Sequence, residues 1–147
     1  MIITFCGHSH FREGKEIKEK LLKILEEEIN GKDVDFYLGG YGAFDSFARK
    51  VCKEYQESHS NAKLYFVTPY IDPAYLKNRE YLKFYYDGII SMNTENVPKR
   101  LAILRRNYEM VKASDLVIAY VEFDFGGAYQ TLEYARQMKK RIINLAE

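Results

Sequence analysis

The sequence has no tryptophan, two cysteines, three prolines and three histidines among 147 residues, and 22 Lys and Arg against 21 Asp and Glu leave a net charge of +1. Each scarcity excludes something. Cys6 and Cys52 lie far apart with no Cys-x-x-Cys pair, which rules out a disulfide framework, and both are expected to be reduced and structural. A near-zero net charge provides no broad positive field for phosphate backbones, so nucleic acid is an unlikely partner. His8 and His10 alternate near the start without a third ligand in register, so no metal site is expected, and no other cofactor is indicated. No apolar run approaches the ~20 residues that cross a bilayer. Ile2-Ile3-Thr4-Phe5-Cys6 also lacks the cationic start of a secretory signal, so no membrane association and a cytoplasmic location are expected.

What is present belongs to a folded chain. Hydrophobic residues make up 47% and charged residues 29%, enough apolar surface to drive folding. The length suits a single domain over 1–147. Thirteen tyrosines stand in for the missing tryptophan, with Tyr70, Tyr75, Tyr81, Tyr85 and Tyr86 crowded into the middle third.

Periodicity predicts alternating strands and helices. Residues 2–6 read as a strand ending at Gly7, followed by a helix over 13–29 with Ile17, Leu21, Ile24, Leu25 and Ile29 on one face and a stop at Asn30-Gly31. Val34 to Leu38 is a second strand, followed by Gly39-Gly40-Tyr41-Gly42 and a helix marked by Phe44, Phe47, Ala48, Val51 and Tyr55. A third strand over 63–68 closes at Pro69, with a short helix at 74–84 and a strand near 88–92 beyond it. The helix predicted for 97–113 carries Leu101, Leu104, Tyr108 and Val111 on one face, which leaves Arg106 off that face. A strand over 115–121, a helix over 128–139 with Ala128, Leu132, Ala135 and Met138 buried, and a final strand at 142–145 complete the pattern. The fold class that follows is α/β, with a mainly parallel sheet and helices on both faces.

Glycine between a strand and a helix lets backbone N–H groups approach an anion, and the helix dipole favours negative charge there. This chain has two such turns, at Gly39 to Gly42 and at Gly126-Gly127. In an open parallel sheet ligands bind beyond the carboxyl ends of the strands, so Gly7-His8 would share a pocket with both turns. Asp45, in the first turn of its helix, can accept ribose hydroxyls or satisfy the helix N-terminus; the residues leave both roles open. Tyr41 and Tyr129 can stack on a base or sit on the surface.

Four segments carry a family resemblance: Phe5-Cys6-Gly7-His8, Gly39-Gly40-Tyr41-Gly42-Ala43-Phe44-Asp45, Arg105-Arg106-Asn107-Tyr108-Glu109-Met110, and Gly126-Gly127-Ala128-Tyr129-Gln130-Thr131-Leu132-Glu133. In this order they resemble the SLOG superfamily, which includes the Lonely Guy phosphoribohydrolases, the Rossmann-like domain of DNA-processing protein A and small bacterial and phage proteins of the YpsA-like type. The resemblance implies a Rossmann-like domain that binds or senses a nucleotide-type small molecule through Gly7, His8, Gly39, Gly40, Tyr41, Gly42, Asp45, Gly126, Gly127, Ala128, Tyr129, Gln130 and Thr131. It also implies a homodimer, with the tyrosine-rich region 70–86 as a contact or pocket lid.

Arg106 precedes Met110 by four residues and Glu133 follows the second diglycine, the positions that cleave an N-glycosidic bond in Lonely Guy enzymes. The alternative reading is therefore a nucleoside 5′-monophosphate N-glycosidase, with Glu133 stabilising the oxocarbenium-like sugar and Arg106 holding the sugar or phosphate. Structural pairing explains the same residues: Arg106 in solvent or a salt bridge, and Glu133 paired with Arg136 or Gln137. The second turn also lacks the Gly-Thr found in those enzymes, so binding ranks ahead of hydrolysis. A nucleic-acid-associated domain, suggested by Lys99, Arg100, Arg105, Arg106 and Lys112 on one helix, ranks third.

Overall fold

A computed structural model describes residues 1–69, 77, 80–92 and 97–147. The chain runs through β1 (Ile2–Gly7), α1 (Lys15–Ile29), β2 (Val34–Leu38), α2 (Ala43–Ser58), β3 (Ala62–Thr68), a 3-10 turn at Glu80–Phe84, β4 (Gly88–Ser91), α3 (Lys99–Ala113), β5 (Leu116–Tyr120), α4 (Gly127–Gln137) and β6 (Arg141–Asn144). The strands form one sheet in the order β4-β3-β2-β1-β5-β6, and every neighbouring pair is parallel. The expected α/β Rossmann-like class is thus observed, with a sheet that is parallel throughout. The helix expected at 74–84 lies partly outside the described residues, and its described end is the 3-10 turn.

Topology explains the layers. The chain lays down β1 to β4 in one direction, then returns to the other side of β1 for β5 and β6. Crossovers between parallel strands are almost always right-handed, so reversing direction moves the connecting helices to the opposite face. On one face, α1 and α2 place Leu21, Leu25, Phe44, Phe47 and Val51 against Ile3, Phe5, Phe36, Leu64 and Ile118. On the other, Val111, Leu132 and Ala135 from α3 and α4 meet Cys6, Val117 and Ala119. Alternate residues of β1 and β5 therefore enter different cores, which is why β5 reads as an unbroken apolar run. No helix among the described residues is long and apolar enough to cross a membrane.

Two expected helix faces are corrected. In α3 the buried line is Ala102, Arg106 and Met110, with Val111, whereas Leu101 is 45% exposed. Arg106 therefore lies in the middle of the packed stripe. In α4 the buried residues are Thr131, Leu132 and Ala135, while Met138 falls at the C-cap and is exposed.

Candidate functional site

The reversal of direction falls between β1 and β5, where an open parallel sheet leaves a crevice beyond its carboxyl edge. Register brings the two loops there together: Gly7 pairs with Tyr120, and His8 Nε2 accepts the Glu122 backbone N–H at 2.9 Å. A cavity of about 400 Å³ occupies this crevice. Its described walls are Phe5 to His10 at the end of β1 and in the loop after it, Tyr41 and Asp45 from the first glycine turn and α2, Ile103, Arg106 and Asn107 from α3, Phe123 and Phe125 after β5, and Gly126 to Ala128 at the start of α4.

The two glycine turns share a backbone and differ in surroundings. Gly42 caps α2 at φ 95°, ψ 174°, and Gly126 caps α4 at φ 92°, ψ 175°; neither helix has a side-chain cap. A positive φ of this size suits glycine. At Gly42 a Cβ would lie 2.8 Å from the Ser9 Cα, and the Ala43 N–H is spent on the Ser9 carbonyl at 3.0 Å. Among the described residues, apart from the chain neighbours, nothing lies within 4 Å of a Cβ built on Gly126 or Gly127. The α2 terminus is thus covered by the loop after β1, while the α4 terminus is open to the cavity. Of the two, only α4 combines first-turn amides, a favourable dipole and room for an anion.

Arg106 is 2% exposed. Its Nη1 donates to the Gly39 carbonyl at 2.8 Å and the Val67 carbonyl at 3.1 Å, and its Nε donates to Asn107 Oδ1 at 3.1 Å. The guanidinium therefore ties α3 to the carboxyl ends of β2 and β3. Gly39 makes this possible, because a Cβ there would stand 3.0 Å from Arg106 Nη2 and 3.2 Å from Asp45 Oδ2.

Asp45 Oδ2 accepts the Tyr41 N–H at 2.9 Å. Burial pushes its carboxyl up from 3.8 to about 6, against the Tyr41 N–H and the Arg106 charge, which both favour the ionised form. Cys6 and Tyr86 also feel the Asp45 charge. Burial, then that charge, pushes the Cys6 thiol up to about 12, so it is no nucleophile at neutral pH. The raised carboxyl has a consequence for folding. The native state holds the Asp45 proton more tightly than the unfolded chain, so this contribution is full below pH 3.8 and is lost as pH rises through 6. In urea unfolding, Asp45→Asn is expected to gain stability relative to the wild type between pH 4 and pH 7.5, by up to ~3 kcal/mol at ~1.4 kcal/mol per pH unit. A difference independent of pH would show that the carboxyl is not perturbed.

Rings line the mouth. His8 lies 5.1 Å from Phe123, and Phe123 stacks on Phe125 at 5.4 Å and 21°. Phe123, Phe125 and Tyr41 are 50%, 67% and 62% exposed, so no protein atoms claim their faces fully.

Of the expected site residues, Gly7, His8, Tyr41, Asp45, Arg106, Gly126, Gly127 and Ala128 meet at this cavity. Gly39, Gly40 and Gly42 shape the loop behind it, and Tyr129 and Gln130 are not in its walls. Thr131 Oγ1 donates back to the Gly127 carbonyl at 2.9 Å. Glu133 pairs with Arg136 on α4, away from the cavity. Sequence reasoning missed Phe123 and Phe125, whose signal was two aromatics in a loop beside an anion-type turn. Tyr81 and Tyr85 are exposed and Tyr86 packs on Phe66, so the described end of the proposed lid does not line the cavity; Tyr70 and Tyr75 lie outside the described residues. On α3, Arg105 and Lys112 both reach Glu109, at 3.2 and 3.6 Å; the side chains of Lys99 and Arg100 lie outside those described. No group of three metal-ligating side chains occurs among the described residues.

No family model and no curated protein matches the chain. Solved structures do. DNA processing protein A from Helicobacter pylori, described for its single-stranded DNA binding mode, is 18% identical with a TM-score of 0.63 over 97% of this chain and 63% of its own. DNA processing protein A from Streptococcus pneumoniae is 13% identical, TM-score 0.63, over 95% of this chain and 48% of its own. The X-ray structure of TM1055 is 12% identical, TM-score 0.58, over 96% of this chain and 71% of its own. The chain spans less than two thirds of either DNA processing protein. What it shares with all three is the fold, a six-stranded parallel Rossmann-like sheet between two layers of helices.

Proposed function

We propose that this is a SLOG-type domain that binds a nucleotide-type small molecule in the β1–β5 crevice and holds it intact. The observation that carries the reading is the open, uncapped N-terminus of α4, which faces a cavity of about 400 Å³ beside a ladder of exposed rings. An anion on the Gly127 and Ala128 amides and a base on Phe123 and Phe125 would occupy the two ends of such a space. Hydrolysis has less support. Its carboxylate, Glu133, is engaged with Arg136 outside the described cavity wall.

Gly127→Glu separates ligand binding from folding. An acidic side chain in the first turn favours the helix by ~0.3–1 kcal/mol, and the open space around Gly127 admits it. The same charge repels an anionic ligand. Calorimetry with a panel of nucleoside 5′-monophosphates should find a variant at least as stable as the wild type whose affinity falls by about tenfold or more. Unchanged affinity would remove the anion from α4.

A second reading rests on the same rings. The Helicobacter pylori protein is described as binding single-stranded DNA, which weighs against the expectation that nucleic acid is no partner. Exposed aromatics are also the surface on which unpaired bases stack. Salt-dependent retention of a labelled oligonucleotide would favour that reading, and no retention at low salt would dismiss it. A homodimer and a cytoplasmic location accompany the first reading as proposals; monomer mass in light scattering at working concentration would refute the dimer.

A further inference from the structure

We infer that His8 is an acid-sensitive latch on the cavity mouth: neutral, it ties down the loop that bears Phe123 and Phe125, and protonated, it lets that loop go. The device works whatever the crevice binds. Its moving part begins at a firm anchor. The Asn144 side chain clamps Val121 on both sides, accepting its N–H at 3.1 Å and donating to its carbonyl at 3.0 Å. Beyond that clamp residues 122–127 are all exposed. Among the described residues, the backbone of 122–125 makes one hydrogen bond, from the Glu122 N–H to His8 Nε2 at 2.9 Å. The loop then runs into Gly126 and the open start of α4, so this bond holds both the rings and the approach to the helix terminus.

A ring nitrogen that accepts an amide N–H carries no proton, so His8 stands as the neutral tautomer with its proton on Nδ1. Protonation turns Nε2 into a donor. Two donors cannot stay 2.9 Å apart, so the ring or the loop must move. The ring contacts of His8, with Phe123 at 5.1 Å and Tyr120 at 6.5 Å, need no particular protonation state, and the amide bond is what senses the proton. The Glu122 carboxylate is itself engaged, accepting the Tyr120 hydroxyl at 2.6 Å. The other ionisable groups around the ring are Cys6 and His10 on its own segment, Tyr41 and Asp45 from α2 and its turn, Arg106 from α3, and Asp124 on the loop; the described wall from α4 holds none. Asp45 matters most among them, because its carboxyl, pushed up to about 6 by burial, changes charge over the range in which histidine does.

The test is amide hydrogen exchange by NMR between about pH 8 and pH 5, with protection at Glu122 expressed relative to a free amide at the same pH. In the wild type that protection should fall by about three- to tenfold on acidification, the scale of one hydrogen bond, along the same curve as the His8 ring signals. His8→Gln supplies an acceptor that does not titrate, so Glu122 should stay protected across the range. His8→Ala should leave it unprotected at every pH. Asp45→Asn should keep the full wild-type loss. Constant protection in the wild type while the His8 ring titrates, or a ring that does not titrate in this range, would overturn the inference. So would an equal pH-dependent loss in His8→Gln or a flat profile in Asp45→Asn, either of which would assign the response to Asp45. None of these outcomes bears on whether the crevice binds a nucleotide, which is measured separately.

Discussion

Arg106→Ala is expected to lower folding stability by about 3–5 kcal/mol, a large share of the ~5–15 kcal/mol that holds an ordinary domain together. The residue is 2% exposed and donates to the Gly39 and Val67 carbonyls, so removing it takes a buried donor from two acceptors far apart in sequence, one just after β2 and one within β3. It also takes a positive charge from beside Asp45 and leaves a cavity under α3. Arg106→Lys should recover only part of the loss, because a compact ammonium lacks the planar fork that reaches both carbonyls and Asn107. Urea unfolding followed by circular dichroism measures this directly. A loss under about 1 kcal/mol would show that the guanidinium is replaceable as a strut. Weak ligand binding by Arg106→Ala would say little about ligand contact, since the Gly39 loop depends on this side chain for its position.

The second large effect is expected where stability is indifferent. Phe123→Ala together with Phe125→Ala should leave the melting temperature nearly unchanged, because the rings are 50% and 67% exposed and make their contacts mainly with each other and with His8. Nucleotide affinity should nevertheless fall about ten- to a hundredfold, on the scale of base–aromatic stacking at ~1–3 kcal/mol per base. Calorimetry on the double variant checks it. Full affinity would move the base elsewhere in the cavity, with Tyr41 and His10 as the other exposed rings among the described residues of its wall.

The backbone of the fold was legible in the residues because parallel strands buried on both faces read as short apolar runs. Ile3 and Phe5 alternate with Thr4 and Cys6 in β1, and Leu116 and Ile118 alternate with Val117 and Ala119 in β5. The face of α3 was not legible, for a specific reason. Leu101, Leu104 and Tyr108 make a stronger apolar stripe than Ala102, Arg106 and Met110, yet the second line is the buried one. Hydropathy counts Arg106 as polar, and its actual partners are carbonyls 67 and 39 positions away. Only the sheet order brings them within reach. Tyr108 meanwhile stacks on Tyr134 of α4 at 4.3 Å, between the helices rather than on the sheet.

The site was half legible on the same terms. Strand–glycine–helix spacing located both turns, and their matching cap dihedrals show how far that local signal reaches. It could not tell which terminus was open, because that depends on the Ser9 loop lying over α2 while no described residue crowds Gly126 or Gly127 at the start of α4. The first turn, which keeps the more recognisable phosphate-loop form, is the covered one. The Phe123–Phe125 ladder was missed for a related reason. Glu122 and Asp124 flank the rings as in any polar turn, and only β1–β5 pairing sets His8 beside them. The Glu133–Arg136 pair, by contrast, follows from helical spacing alone.

The central claim is that the β1–β5 crevice holds an intact nucleotide. It is tested most directly by incubating the protein with a mixture of nucleotides and using mass spectrometry to score both what it retains and what bases appear in solution. Retention of a nucleoside monophosphate by the wild type, its loss in Gly127→Glu and no rise in free base are the expected results. Released base, or no retained nucleotide from any class in the mixture, would contradict the account.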